Sequence, residues 1–128
     1  MPELVLVVDA DPEVHRLTRS LLEEAGYTCQ TADTAIDALT YLKHGRAPAL
    51  AILDLRIPDL PGTKLALRIH EQRPEMPVLF ISVRAGDLVS TEHLASLRWE
   101  FLQKPVTRET LLPAIERLLS GTEAISSD

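Results

Sequence analysis

Short apolar runs alternate along this chain with longer stretches in which apolar residues recur every three or four positions. Leu4 to Val8 is a valine-rich run that stops at Asp9. A continuous apolar run of this length predicts a strand buried on both faces. Asp11 then reads as a helix cap, with Pro12 at the first helical position, where no backbone donor is needed. Val14, Leu17, Leu21, Leu22 and Ala25 follow at helical spacing, and Gly26 closes that helix. Residues 27–32 predict a weaker second strand, with Asp33 or Thr34 as the next cap. Ala35, Ala38, Leu39 and Leu42 form its helical stripe, ended by Gly45. Residues 49–53 predict the third strand. Thr63 predicts a cap for a helix running to about Gln72, with Leu65, Ala66 and Ile69 facing inward. Residues 78–81 predict the fourth strand, ended by Ser82.

Residues 83–98 carry the weakest pattern, with a helix expected over roughly 91–97. Residues 100–103 predict a short fifth strand before Lys104 and Pro105. Leu111, Leu112, Ile115, Leu118 and Leu119 mark a last helix, closed by Gly121. Thr107 and Thr110 both remain candidate caps for it. Thr107 would put Pro113 in the second turn at the loss of a backbone bond, whereas Thr110 would put it harmlessly in the first. A domain over 1–121 with a polar tail over 122–128 follows. Strand and helix thus alternate five times, which implies a parallel sheet covered by helices on both faces.

In such sheets ligands bind beyond the carboxyl ends of the strands. Asp9, Asp54, Ser82 and Lys104 each end a predicted strand, so all four fall on one rim. Asp54 is the sharpest of them. It ends the run Leu50-Ala51-Ile52-Leu53 and opens the loop Leu55-Arg56-Ile57-Pro58-Asp59-Leu60-Pro61-Gly62. Carboxylates, a hydroxyl and an ammonium on one rim suit phosphoryl transfer to a carboxylate. That reaction asks chiefly for positioning and charge neutralisation. Asp54 would be the nucleophile, Lys104 a point charge and Ser82 a hydrogen-bond donor. A magnesium ion held by the carboxylates would neutralise further charge.

Composition narrows the classes. The 128 residues are 45% hydrophobic and 25% charged, as in a single globular domain. The net charge of -6 and the lack of a basic run argue against direct nucleic-acid binding. Met1-Pro2-Glu3 lacks a basic leader start, and the first apolar run is too short for a membrane span. A cytoplasmic location is expected. The one cysteine, Cys29, reads as a buried structural thiol, and His15, His44, His70 and His93 read as solvated surface. Ala10-Asp11-Pro12 is acidic and lacks glycine, which excludes a phosphate-cradling loop for a flavin or nucleotide. A haloacid-dehalogenase-type phosphatase would want an acid two positions after Asp54, where Arg56 stands.

These stretches together resemble the receiver domain of bacterial response regulators, from Leu4 to about Leu119. The matching residues are Val7-Val8-Asp9, Ile52-Leu53-Asp54 with its Pro58-to-Gly62 loop, Ile81-Ser82, and Phe101-Leu102-Gln103-Lys104-Pro105. The resemblance implies a flavodoxin-like (βα)5 fold with strand order 2-1-3-4-5. It implies phosphorylation of Asp54 by a histidine kinase or phosphotransfer protein, and a signalling role instead of an enzymatic one. It implies a cis peptide bond before Pro105. It implies a switch in which Ser82 moves toward the phosphoryl group and Phe101 turns inward. The face of helix four, strand five and helix five would then meet a downstream protein partner, with Trp99 beside it.

The chain departs from that family's pattern at Ala10, where a second acid normally ligates magnesium. The implied metal set shrinks to Asp9, Asp54 and the backbone carbonyl of Arg56, with Asp11 aligned at the capping position. The Arg56 guanidinium is a candidate stand-in for the ion. Val83 narrows the entrance to the rim, Arg84 adds positive charge there, and Leu97-Arg98 replace a usual Gly-Ala. The alternative reading is a degenerate receiver that binds partners without magnesium-dependent phosphorylation. The chain reads equally as a stand-alone receiver or as part of a longer protein.

Overall fold

The structure is a computed structural model and describes residues 3–88 and 91–121. Its strands are β1 Leu4–Val8, β2 Thr28–Ala32, β3 Leu50–Asp54, β4 Val78–Ser82 and β5 Trp99–Gln103. All neighbouring pairs are parallel, and the order is β2-β1-β3-β4-β5. This is the doubly wound, flavodoxin-like order. The helices are α1 Pro12–Glu24, α2 Ala35–His44, α3 Gly62–Gln72 and α4 Arg108–Ser120. None of the described helices is long and apolar enough to cross a membrane. The tail expected over 122–128 lies outside the described residues.

Alternation along the strands divides the core in two. Leu6, Val8, Ala51, Leu53, Val78 and Phe80 pack with α2 and α3. Val5, Val7, Leu50, Ile52, Leu79 and Ile81 pack with α1 and α4. β1, β3 and β4 are buried along their whole length, whereas every residue of β5 is at least partly open.

β5 is an edge strand, and the segment before it adds little cover. The helix expected over 91–97 is absent, replaced by one-turn 3-10 helices at Ala85–Asp87 and Glu92–Leu94. Gly86, Thr91 and Ser96 are weak helix formers, and among the described residues of this segment only Leu94 and Leu97 are buried. Those two leucines plug the face that a full helix would have covered.

Local signals explain most helix ends. Asp11 caps α1 by accepting the Glu13 N–H at 2.9 Å. Beyond α1, Gly26 has φ 93°. Its N–H reaches the Glu23 carbonyl, and the Tyr27 N–H reaches that of Leu22 at 2.9 Å, a Schellman closure. Thr34 caps α2. Thr63 does not cap α3. That helix begins at Gly62 with Pro61 before it and no side-chain cap. Thr107 caps α4 reciprocally with Thr110, which places Pro113 inside the helix. The histidines also divide: His44 and His93 are exposed, whereas His15 and His70 are half-buried, contrary to the surface expectation. His15 turns toward Asp33, with Nδ1 3.6 Å from its carboxylate.

Candidate functional site

The side chains at the carboxyl edge of the sheet are sorted by the same alternation. Val5 and Val7 of β1 and Leu50 and Ile52 of β3 face α1 and α4. Two residues further, Asp9 and Asp54 fall in the same phase. Leu102 of β5 packs on that side too, and Lys104 follows it by two. The three groups meet: the Lys104 ammonium lies 2.8 Å from Asp9 Oδ2 and 3.4 Å from Asp54 Oδ2. Asp9 is 1% exposed and Asp54 8%. Ser82 has the opposite phase, that of Val78 and Phe80. Its buried hydroxyl donates to the carboxylate of Asp87 in the first 3-10 turn.

Backbone bonds hold this rim in register. Asp9 Oδ1 accepts the Asp11 N–H at 2.9 Å, and Asp54 Oδ1 accepts the Arg56 N–H at 3.2 Å. The Leu55 N–H reaches the Ile81 carbonyl at 3.0 Å, and the Lys104 N–H reaches that of Ser82 at 2.7 Å. The Lys104–Pro105 peptide bond is cis. Gly62 returns against the start of the loop, its N–H 3.0 Å from the Leu55 carbonyl. A Cβ there would meet the Asp54 carbonyl oxygen and stand 2.8 Å from Leu55 Cα, so the loop closes only around glycine.

Burial and charge oppose each other in the cluster. Burial raises the Asp9 carboxyl above the ordinary aspartate range, and the Lys104 hydrogen bond and the Asp11 N–H offset only part of that rise. For Lys104, burial alone would lower the pKa. The bond and charge of Asp9, with those of Asp54, outweigh it and raise the value. The ammonium therefore stays charged between the two acids.

The magnesium site implied by the resemblance is short of side-chain oxygens among these residues. Ala10 is exposed and offers no side-chain oxygen. Asp11 is committed to capping α1. Arg56 is exposed, and it is its backbone N–H that meets Asp54. Among the described residues, no group of three or more His, Cys, Asp or Glu is placed to hold a metal ion. Lys104 occupies the position between the two remaining carboxylates.

Two residues with no signal in the local pattern belong to this region. Asp59 accepts the N–H groups of Ala35 at 2.8 Å and Ile36 at 3.0 Å, tying the Asp54 loop to the start of α2. Those bonds hold its carboxyl below the usual range. Asp87 is the partner of Ser82. Both contacts join distant or irregular segments, so no periodicity announces them. Phe101 is half-buried on β5 and packs on the α2–α3 side with Trp99, whose ring meets Phe80 edge-on at 5.8 Å. The face expected from helices four and five around strand five is composed differently, with two 3-10 turns in place of the first helix.

An open pocket of about 320 Å³ adjoins the rim, lined by Val14, Leu17, Val83, Lys104, Pro105 and Val106 among others. Leu17 is 42% exposed and Val83 54%, unusual openness for such side chains.

Known proteins share this fold. Residues 5–116 match the model of the response regulator receiver domain. The chain is 29% identical over 115 residues to the C4-dicarboxylate transport transcriptional regulatory protein DctD of Pseudomonas aeruginosa, covering 90% of this chain and 25% of that protein. It is 32% identical over 125 residues to the response regulator MprA of a Mycobacterium species, covering 95% of this chain and 53% of that protein. The chain thus spans about a quarter and about half of these two relatives. A CheY-like receiver domain from Methanospirillum hungatei superposes with TM-score 0.83 at 28% identity, covering 94% of this chain and 96% of that one. The receiver domain of NtrX from Brucella abortus does so with TM-score 0.82 at 30% identity, covering 92% and 99%. Fold and family match agree: this chain belongs to the response regulator receiver domains.

Proposed function

We propose that this receiver domain accepts a phosphoryl group on Asp54 from a phosphohistidine of a kinase or phosphotransfer protein. The observation that supports it most is the Lys104 ammonium bridging Asp9 and Asp54 at the strand ends. In the transfer, an Asp54 carboxylate oxygen bonds to phosphorus as the donor's P–N bond breaks. The electron pair leaves with the imidazole nitrogen, which then takes a proton. Lys104 compensates charge on the phosphoryl oxygens, and the Ser82 hydroxyl donates to one of them.

Receiver domains generally use Mg2+ for phosphorylation. The residues here support a weakened dependence on it, with Lys104, not the Arg56 guanidinium, filling the cation position. The donor approaches over the apolar pocket beside Lys104, where Leu17 and Val83 offer contact area next to the nucleophile. A downstream protein partner reads the β5 edge of the sheet, with α4 flanking it on one side and the turns at Ala85–Asp87 and Glu92–Leu94 with Phe101 on the other. Ser82 and Phe101 share that side, so a pull on the first reaches the second through Phe80, which pairs with Phe101 across the strands.

The test is intact mass after incubation with a small acyl phosphate, with magnesium and with chelator. One added phosphoryl group in the wild type, absent in Asp54→Asn, supports the reading, and a gain that survives chelator supports the role given to Lys104. No gain under any metal condition would sink it and leave a binding module.

A further inference from the structure

We infer that Asp87 is a positioning residue for the Ser82 hydroxyl, holding it in the resting domain and yielding it when Asp54 carries a phosphoryl group. The inference rests on the phosphoacceptor reading and names a regulation of that same site. A serine hydroxyl has one proton to donate. Here it goes to an Asp87 carboxylate oxygen, while the hydroxyl oxygen also lies 3.5 Å from the Arg84 N–H. Ser82 is 1% exposed, so solvent does not compete for that proton. Its strand neighbour Ile81 is the register partner of Asp54, which sets the hydroxyl one residue beyond the nucleophile. A phosphoryl oxygen on Asp54 is therefore a second acceptor for the same proton. Its charge of nearly two also repels the Asp87 carboxylate.

The turn that carries Asp87 is built to let go. Its backbone bonds are Asp87 N–H to Arg84 and Leu88 N–H to Ala85, both at 3.1 Å, and none of its residues is buried. Short 3-10 turns of this kind have poor hydrogen-bond geometry and open cheaply. Leu88, at the turn's end, packs against the same apolar cluster as Trp99 and Phe101. Release of Asp87 thus frees a segment in contact with the partner face. The Ser82–Asp87 bond and the Ser82–phosphoryl bond are mutually exclusive, which makes the bond an autoinhibitory contact.

Two arms test this in the full chain. Amide exchange at Leu88 measures the latch without phosphorylation. Asp87→Ala and Ser82→Ala are each expected to speed it by on the order of fivefold, the worth of one hydrogen bond, and the double variant to add nothing further. Trp99 fluorescence against acyl phosphate concentration measures the competition. Asp87→Ala is expected to respond at a donor level lower by on the order of fivefold, and Ser82→Ala to abolish that gain. Asp87→Asn, which keeps an acceptor without the charge, falls between. Wild-type exchange at Leu88 in Asp87→Ala, or an unchanged or higher donor requirement, overturns the inference. If mass shows no variant phosphorylated, the phosphoacceptor reading fails and the yielding half fails with it. The exchange arm then decides the holding half alone.

Discussion

Asp9 is held in the folded chain at a disadvantage that Lys104 only partly removes. Its raised pKa means that the folded state binds the proton more tightly than the unfolded chain does. Its contribution to stability is full below the unfolded carboxyl value, near pH 4, and is lost as pH rises through the folded value. Asp9→Asn removes that loss and keeps the shape. The variant is expected to melt above the wild type at pH 7, with the gap closing toward pH 4 in thermal scans. A lower midpoint for Asp9→Asn at pH 7 would mean that the lysine pair more than compensates for burial. Asp9 as a rim residue was legible from the apolar run that it ends. The strain of its position was not, because burial depends on how Lys104 and the neighbouring strands close over it.

At the scale of elements, caps were legible and exceptions were not. Asp11, Thr34 and the Gly26 closure sit where the local pattern puts them, because a cap bonds to groups two to five residues away. The start of α3 differs. Gly62 must touch the Asp54 loop, so the helix begins there and Thr63 loses its capping place. In α4 the reciprocal Thr107–Thr110 cap wins, although it leaves exposed Pro113 as the sixth helical residue. The Glu109 carbonyl then lacks its usual N–H partner. Pro113→Ala restores that bond on a solvent-facing site and is expected to add about 1 to 3 kcal/mol in denaturant unfolding. An unchanged or lower midpoint would show that the proline's restriction of the unfolded chain outweighs the bond.

At the scale of the whole molecule, one sheet edge gathers residues from four strands, and the weakened magnesium binding proposed there would show in the stability of the whole fold. Ala10→Asp places a carboxylate beside Asp9 with little else disturbed, since position 10 is exposed. An ion that binds only the folded state raises its stability, by about 2.7 kcal/mol at a hundred times the dissociation constant. The variant is expected to gain a saturable, Mg2+-dependent rise in melting temperature, and the wild type a smaller one at the same concentrations. A wild-type titration as tight as the variant's would restore the metal to the site.

The amino-acid pattern alone determined the alternating elements, the parallel sheet and the rim on which Asp9, Asp54, Ser82 and Lys104 stand. Those features follow from local periodicity and from where apolar runs stop. Only the tertiary structure decided how the rim divides. Strand register and alternation put Lys104 between Asp9 and Asp54 and turned Ser82 to the other face, toward Asp87. It also decided that two short turns, Ala85–Asp87 and Glu92–Leu94, stand where a helix was expected, since a stripe too weak to hold a helix is settled by what Leu94 and Leu97 can bury. Asp59 caps a helix more than twenty residues before it. Such contacts join groups far apart along the chain, and no local pattern encodes a distance that only folding creates.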